Sequence, residues 1–391
     1  MFNNFIYLTF SLYILLSLLP ATTFSLPSIG ATYSTFPTNR QEPPPRPPPP
    51  PSSPPPPSQP DRITTAMEKL KLDSLRLEEP DLTIIRSFTY TNISLFLTVP
   101  NYMVTPMANN RSVARAWIYT HVLPFYPRAK ITTISVGNAF VDVYPEAVNN
   151  LLTAISNVHV SLRDLGIRKI SVSTSFSFIT TVSSPFPPSS ATFREPTGVN
   201  LMGPLLQFLS DTNSSFLINL YPYNLYRLRS EIPLGIALFQ DYPFNFRDDF
   251  TTGVRYRNLF DIMVDAVVSA MALAGYETIP VIVTETGWPS TGNEPDANPG
   301  YAEIYMRGLV KHLKSGAGTP LLRDGVKGVY IYELFDKEGP GRNWGLLYPN
   351  GSSKYNVDFS EASRSSLVNW INVAFLLIVV FVEVCCMVIV D

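Results

Sequence analysis

The chain has 391 residues, 45% of them hydrophobic and 15% charged, with a formal net charge of −2. That apolar content suffices for one large α/β barrel or two ordinary domains, and no Lys/Arg cluster interleaves with aromatics as a nucleic-acid surface would require. Both cysteines, Cys385 and Cys386, lie in the C-terminal apolar tail, and His121, His159 and His312 are scattered without acidic or thiol companions, so neither a disulfide, a metal site nor a cofactor is expected in the body.

Residues 5–19 form an apolar run of signal-peptide length, below a comfortable membrane span, followed by small residues from Ala21 to Ser25 where cleavage would fit. No Lys or Arg precedes it. The expectation is a removed leader over residues 1–25. Sequons at Asn92, Asn110, Asn213 and Asn350 agree with a secretory route and a glycoprotein product.

Ile29-Gly30-Ala31-Thr32-Tyr33 reads as a first strand. It is followed by Pro43 to Pro60, almost wholly Pro and Ser, which favours an extended, solvated polyproline II segment and reads as a spacer or loop insertion. Within it, Ser53-Pro54-Pro55-Pro56-Pro57 resembles the Ser-Pro repeat unit of plant extensins, glycosylated proteins of the cell wall.

From Asp61 onward helical stretches alternate with short apolar runs, the pattern of parallel βαβ units. Candidate strands cover 29–33, 75–77, 94–99, 131–136, 169–174, 216–221, 281–284 and 328–334, with helices at 146–165, 201–209, 256–274 and 301–314. In the third of these helices Leu259, Met263, Val267 and Ala270 recur at helical spacing and give one apolar stripe. Eight strands with intervening helices predict an α/β fold of the (β/α)8 TIM-barrel type, with an active site at the strands' C-terminal ends. The rival, a doubly wound open sheet, usually carries a Gly-rich phosphate loop after its first strand, whereas Gly30 stands alone there.

The segment 368–390 is apolar apart from Asn369, Asn372 and Glu383 and follows a small polar region, Ser360-Glu361-Ala362-Ser363-Arg364-Ser365-Ser366. This fits either a glycosylphosphatidylinositol signal or a single spanning helix. Only Asp391 follows, in place of the basic flank of a spanning anchor, which favours a lipid anchor attached between residues 360 and 366.

One carboxylate stands out. Val281-Ile282-Val283 has the β-branched character of a strand covered on both faces, and Gly287 and Pro289 end regular structure just past Glu285. Glu285 therefore lies at a strand tip, as an ion-paired structural residue or as a catalyst. The indole of Trp288 beside it suits the apolar face of a sugar ring.

The stretch Val283-Thr284-Glu285-Thr286-Gly287-Trp288-Pro289-Ser290 resembles the signature of the plant β-1,3-glucanases, glycoside hydrolase family 17. Supporting matches are Ile29-Gly30 with Tyr33, Val99-Pro100-Asn101, Val136-Gly137-Asn138, Asn219 with Tyr221-Pro222-Tyr223, Arg257-Asn258-Leu259-Phe260-Asp261 and Trp344-Gly345-Leu346, in order from about Ile29 to Phe359. The resemblance implies a (β/α)8 barrel, Glu285 as the nucleophile of a retaining reaction, and substrate contacts from Tyr33, Asn138, Tyr221, Trp288 and Glu338. The family takes its acid/base from a Gly-Asn-Glu sequence at the fourth strand. This chain has Gly137-Asn138-Ala139, and the methyl of Ala139 can neither give nor accept a proton. Glu146, downstream in the same region, reads more naturally as first-turn helix chemistry. The loop Phe335-Asp336-Lys337-Glu338-Gly339-Pro340 also departs from the family pattern, in which a Glu and a Lys line the cleft.

The resemblance implies a β-1,3-glucan partner of the callose type, a monomer, and a place at the cell wall or the extracellular face of the plasma membrane. Two functions remain open: retaining endo-hydrolysis with Glu285, weakened at Ala139, and non-hydrolytic glucan binding or wall scaffolding. The Pro-rich insertion falls on the cleft face, where it would tether the barrel to wall polymers or obstruct the groove.

Overall fold

In a computed structural model of the chain, residues 26–34, 59–195, 201–337, 339 and 341–360 are described. The expected leader, the Pro-rich run up to residue 58 and the C-terminal apolar segment beyond residue 360 lie outside them. Among the described residues no helix is long and apolar enough to cross a membrane.

Short runs of apolar and small residues, buried on both faces, build parallel strands. In chain order these are β1 (Ser28–Tyr33), β2 (Ser74–Leu77), β3 (Ser94–Val99), β4 (Lys130–Asn138), β5 (Ser171–Ser177) and β6 (Phe216–Asn219). A small antiparallel hairpin follows, β7 (Arg247–Asp249) and β8 (Val254–Tyr256), and then β9 (Val281–Thr286) and β10 (Gly328–Ile331). The eight parallel strands close in the order β1-β10-β9-β6-β5-β4-β3-β2. This is the (β/α)8 barrel expected from the alternation of strands and helices.

Two cores result. Phe96, Leu217, Ile282 and Tyr330 meet as a small cluster of their own, while the larger one fills the layer between strands and helices. The isolated Gly30 has a packing reason. A Cβ there would come within 2.5 Å of the Ser74 carbonyl oxygen and 2.8 Å of the Tyr330 ring, so β1 and β2 approach as closely as they do only without a side chain.

Three expectations change. The Pro-rich run does not extend to Pro60, because Gln59 and Pro60 open the helix Gln59–Leu70, a position where proline's missing N–H costs nothing. The helix expected at 256–274 starts at Leu259 behind Asn258, whose side chain accepts a 2.7 Å bond from the Asp261 N–H, and Tyr256 belongs to β8 instead. That helix is also buried on nearly every side, not along one stripe, because the 188–190 turn, the helices Pro222–Leu228 and Leu234–Ala237 and β8 cover it.

Replacing Gly30 by Ala should lower unfolding stability by about 1–3 kcal/mol, since the new methyl meets backbone that cannot yield. Denaturant midpoints check this, and a loss under about 0.5 kcal/mol would show that the β1–β2 approach is not sterically set.

Candidate active site

The mouth of the barrel at the C-terminal ends of the strands gathers its polar side chains through two local irregularities. At β9 the pairing register slips on both sides: Ile218 and Asn219 of β6 face Val283 and Glu285, and Val329 and Ile331 of β10 face Val283 and Thr286. The extra residue breaks the strict alternation that would place Glu285 on the face opposite Ile282. At β4 the register against β5 slips between Ser135 and Asn138, where Gly137 has φ +81°. A Cβ at Gly137 would lie 2.9 Å from Asn101 Oδ1, the atom that accepts the Asn138 N–H at 2.8 Å. Glycine is therefore required where Asn138 is turned into the site.

Glu285 is 6% exposed and every oxygen is engaged. Arg76, fully buried on β2, donates from Nη1 to Oε1 at 2.5 Å, and Asn138 Nδ2 donates to the same oxygen at 2.9 Å. Tyr221 donates its hydroxyl to Oε2 at 2.7 Å. Burial pushes the Glu285 carboxyl up, but the Arg76 charge and the bonds from Arg76, Tyr221 and Asn138 outweigh it and hold the group below the usual carboxylate range. The Arg76 guanidinium lies over the Phe96 ring at 5.4 Å, so the barrel interior supports the cation from beneath.

The orientation of Asn138 follows from a relay of bonds. Thr284 Oγ1 donates to Asn219 Oδ1 at 2.7 Å, and Asn219 Nδ2 donates to Asn138 Oδ1 at 2.9 Å. The Asn138 amide nitrogen must therefore face the carboxylates. It meets two of them, because Nδ2 also lies 2.9 Å from Oε1 of Glu78. Glu78 is one residue past β2 and is pushed up to about 7 by burial and by the charge of Glu285.

A third carboxyl, Glu333, is 3% exposed and also raised to about 7, with burial as the main cause. Lys337 claims it at 3.2 Å, and the Ser34 hydroxyl donates to it at 3.3 Å. Aromatic rings close one side of the site. Tyr221 stands edge-on to Trp344 at 5.2 Å and to Tyr332 at 6.1 Å, all three half-buried.

The residues singled out in the sequence divide. Asn138 and Tyr221 bond Glu285 directly. Tyr33 sits at the tip of β1, its hydroxyl bonded by Gln59 and its ring edge-on to Phe335 at 6.4 Å. Trp288 needs correction as a sugar platform: it is 0% exposed, donates to the Asp296 carbonyl at 2.8 Å and packs on Tyr223, so it supports the turn from within. Ala139 caps the short helix Phe140–Val143 with φ 47° and ψ 39°, a left-handed conformation that alanine adopts at some cost. Glu146 is exposed in the 3-10 turn Pro145–Ala147 and has no bond to the cluster around Glu285. Glu338 lies outside the described residues.

Arg76, Glu78 and Glu333 were not singled out from the sequence. The signal for the first two was present in Ser74-Leu75-Arg76-Leu77-Glu78, where period-two alternation puts both charges on one face of a buried strand.

A barrel with a carboxylate so held at the tip of its seventh strand matches what the comparisons find. The profile of glycosyl hydrolases family 17 covers residues 55–359. The chain belongs to this family. It is 36% identical over 310 residues to glucan endo-1,3-beta-glucosidase 12 of Arabidopsis thaliana, covering 77% of this chain and 57% of that protein. It is 38% identical over 318 residues to glucan endo-1,3-beta-glucosidase 7 of the same plant, covering 78% and 62%. The chain thus spans about three-fifths of the length of these curated relatives. Among solved structures, the β-1,3-glucanase and allergen CJP38 of Cryptomeria japonica pollen superposes with a TM-score of 0.75 at 32% identity, over 85% of this chain and 99% of that one. A plant β-glucan endohydrolase gives 0.70 at 31%, over 76% and 94%.

The carboxyl pair makes a stability prediction. With its pKa raised from 4.5 to about 7, Glu78 keeps a proton that the unfolded chain releases. Its contribution to stability is full below pH 4.5 and is lost as pH rises through about 7. Glu78→Gln should therefore make Tm fall less steeply across that window than in the unaltered protein. Parallel Tm curves would contradict the raised pKa.

Proposed function

We propose that this family 17 protein binds β-1,3-glucan across the C-terminal mouth of the barrel and attacks it from Glu285 with retention of configuration. The observation that carries this is the Glu285 carboxylate itself, kept ionised by Arg76 at 2.5 Å and aimed by Tyr221 and Asn138. A nucleophile must be ionised and fixed in direction, and that set of donors does both. Asn138 Oδ1 keeps one lone pair beyond its bond from Asn219 for a sugar hydroxyl, and Tyr221, Tyr332 and Trp344 offer ring faces and edges beside it. The similarity to two glucan endo-1,3-beta-glucosidases and to the β-1,3-glucanase CJP38 supports the substrate class.

A second reading, glucan binding without hydrolysis, has one observation in its favour, the methyl of Ala139 where the family resemblance places an acid/base. Under either reading the protein works outside the cell, at the wall or the outer face of the plasma membrane, as a monomer on a lipid anchor. The apolar ends of the sequence and the four sequons support this, and Asn92, Asn110, Asn213 and Asn350 are all exposed.

Incubation with a dinitrophenyl 2-deoxy-2-fluoro-β-1,3-glucoside, whose leaving group needs little protonation, should release dinitrophenolate and leave one sugar on Glu285, located by peptide mass spectrometry. Glu285→Gln should take no label and still be retarded in a laminarin affinity gel. Retardation without labelling of the unaltered protein would favour the second reading; neither retardation nor labelling would sink both. On plant membranes, a phosphatidylinositol-specific phospholipase should release the protein, and its retention after that treatment would argue for a spanning helix instead.

A further inference from the structure

We propose that Glu78 is the proton donor of this site, a carboxyl supplied by the second strand in place of the one absent at Ala139. The proposal rests on the reading of Glu285 as nucleophile and adds the partner which that reading lacks.

The geometry singles Glu78 out. One amide nitrogen, Asn138 Nδ2, lies 2.9 Å from Oε1 of Glu78 and 2.9 Å from Oε1 of Glu285, so those oxygens are at most about 5.8 Å apart, twice the bond length. Retaining glycosidases keep their two carboxyl groups about 5–5.5 Å apart. In the empty site the Glu78 carboxyl is held by its bond from the Asn138 amide. A sugar ring seated between the two carboxyls adds a bond from Glu78 to the glycosidic oxygen. Two residues back along the same face of β2, Arg76 ties the strand to Glu285, so both carboxyls are referenced to one rigid element.

Electrostatics gives the pair different tasks. Arg76 lies within bonding reach of Glu285, while burial, and then the ionised Glu285, keep the proton on Glu78. Two carboxyls at one site whose environments drive them apart are the mark of an acid and a nucleophile. Other candidates fail on position. Glu333 is more deeply buried and held by Lys337 at 3.2 Å, and Glu146 is exposed on its turn.

In the first step an oxygen of Glu285 bonds to the anomeric carbon as the glycosidic C–O bond breaks, and the proton of Glu78 passes to the departing oxygen. In the second, the Glu78 carboxylate takes a proton from water, the water oxygen bonds to the anomeric carbon, and Glu285 leaves as carboxylate. Each step balances, with water as the co-reactant.

The test compares the unaltered protein with Glu78→Gln on laminarin and on a dinitrophenyl β-1,3-glucoside. The variant should lose about 10²–10⁴-fold in kcat/KM on laminarin, the usual contribution of a positioned acid. It should also lose the alkaline limb of the pH profile near 7. The burst of dinitrophenolate should stay within about tenfold, which also shows that the variant is folded, because an activated leaving group needs little acid. Added azide should speed its steady state and yield a β-glycosyl azide, since azide attacks the glycosyl-enzyme without a base. Laminarin cleavage by Glu78→Gln at the unaltered rate, with the alkaline limb intact, would overturn the proposal. So would an unaltered protein that gives the burst and labels Glu285 yet leaves laminarin whole, an outcome that spares Glu285 as nucleophile. Absence of any burst in the unaltered protein would remove that underlying reading and this one together.

Discussion

The buried positive charge of Arg76 is the interaction on which the rest of the site depends. A guanidinium with no exposure, resting over Phe96 at 5.4 Å, is tolerable only with a carboxylate against it. Glu285 supplies that carboxylate at 2.5 Å. Removing either partner would strand a charge in the barrel mouth, at a cost of about 3–5 kcal/mol. The same pairing makes Glu285 ionised and therefore makes a second ionised carboxyl beside it unfavourable. Burial and that charge together keep the proton on Glu78. Fold stability and the ionised state of Glu285 thus trace to one ion pair, which is why they cannot be tuned separately.

The geometry around that pair comes from two backbone irregularities and not from regular strands. The slip in β9 turns Glu285 inward, and the slip in β4, made possible by Gly137, turns Asn138 toward it. The relay from Thr284 through Asn219 then fixes which end of the Asn138 amide faces the carboxyls. Asn219, accepting from Thr284 and donating to Asn138, leaves that amide little freedom to turn before substrate arrives.

Much of this could be read from the sequence, and the reasons are specific. All eight barrel strands were placed because runs such as Val281-Ile282-Val283 are buried on both faces and bounded by breakers. Glu285 was found because it ends such a run. The hairpin of β7 and β8 was not found, since Arg-Asp-Asp and Val-Arg-Tyr carry no apolar alternation and are held partly by Asp249 bonding Ser189 and Thr251. Adjacency in sequence says nothing about which way the Trp288 indole points, and it points into the layer shared by Tyr223 and Tyr305. Arg76 and Glu78 escaped notice for a different reason. Their alternation on one strand face is local, but that they meet residues of β4 and β9 is a fact of barrel closure that no local window contains.

The central claim is that the two carboxyls sharing the Asn138 amide differ in protonation, with Glu285 ionised and Glu78 carrying the proton near neutrality. It is tested most directly by titrating glutamate carboxyl carbons by 13C NMR in protein labelled at that position, with Glu78→Gln and Glu285→Gln used to assign the two signals. One signal should titrate below the usual carboxylate range and be lost in Glu285→Gln, and another should titrate at about 7 and be lost in Glu78→Gln. A pair ionised together by pH 5, or the higher step belonging to Glu285, would contradict it.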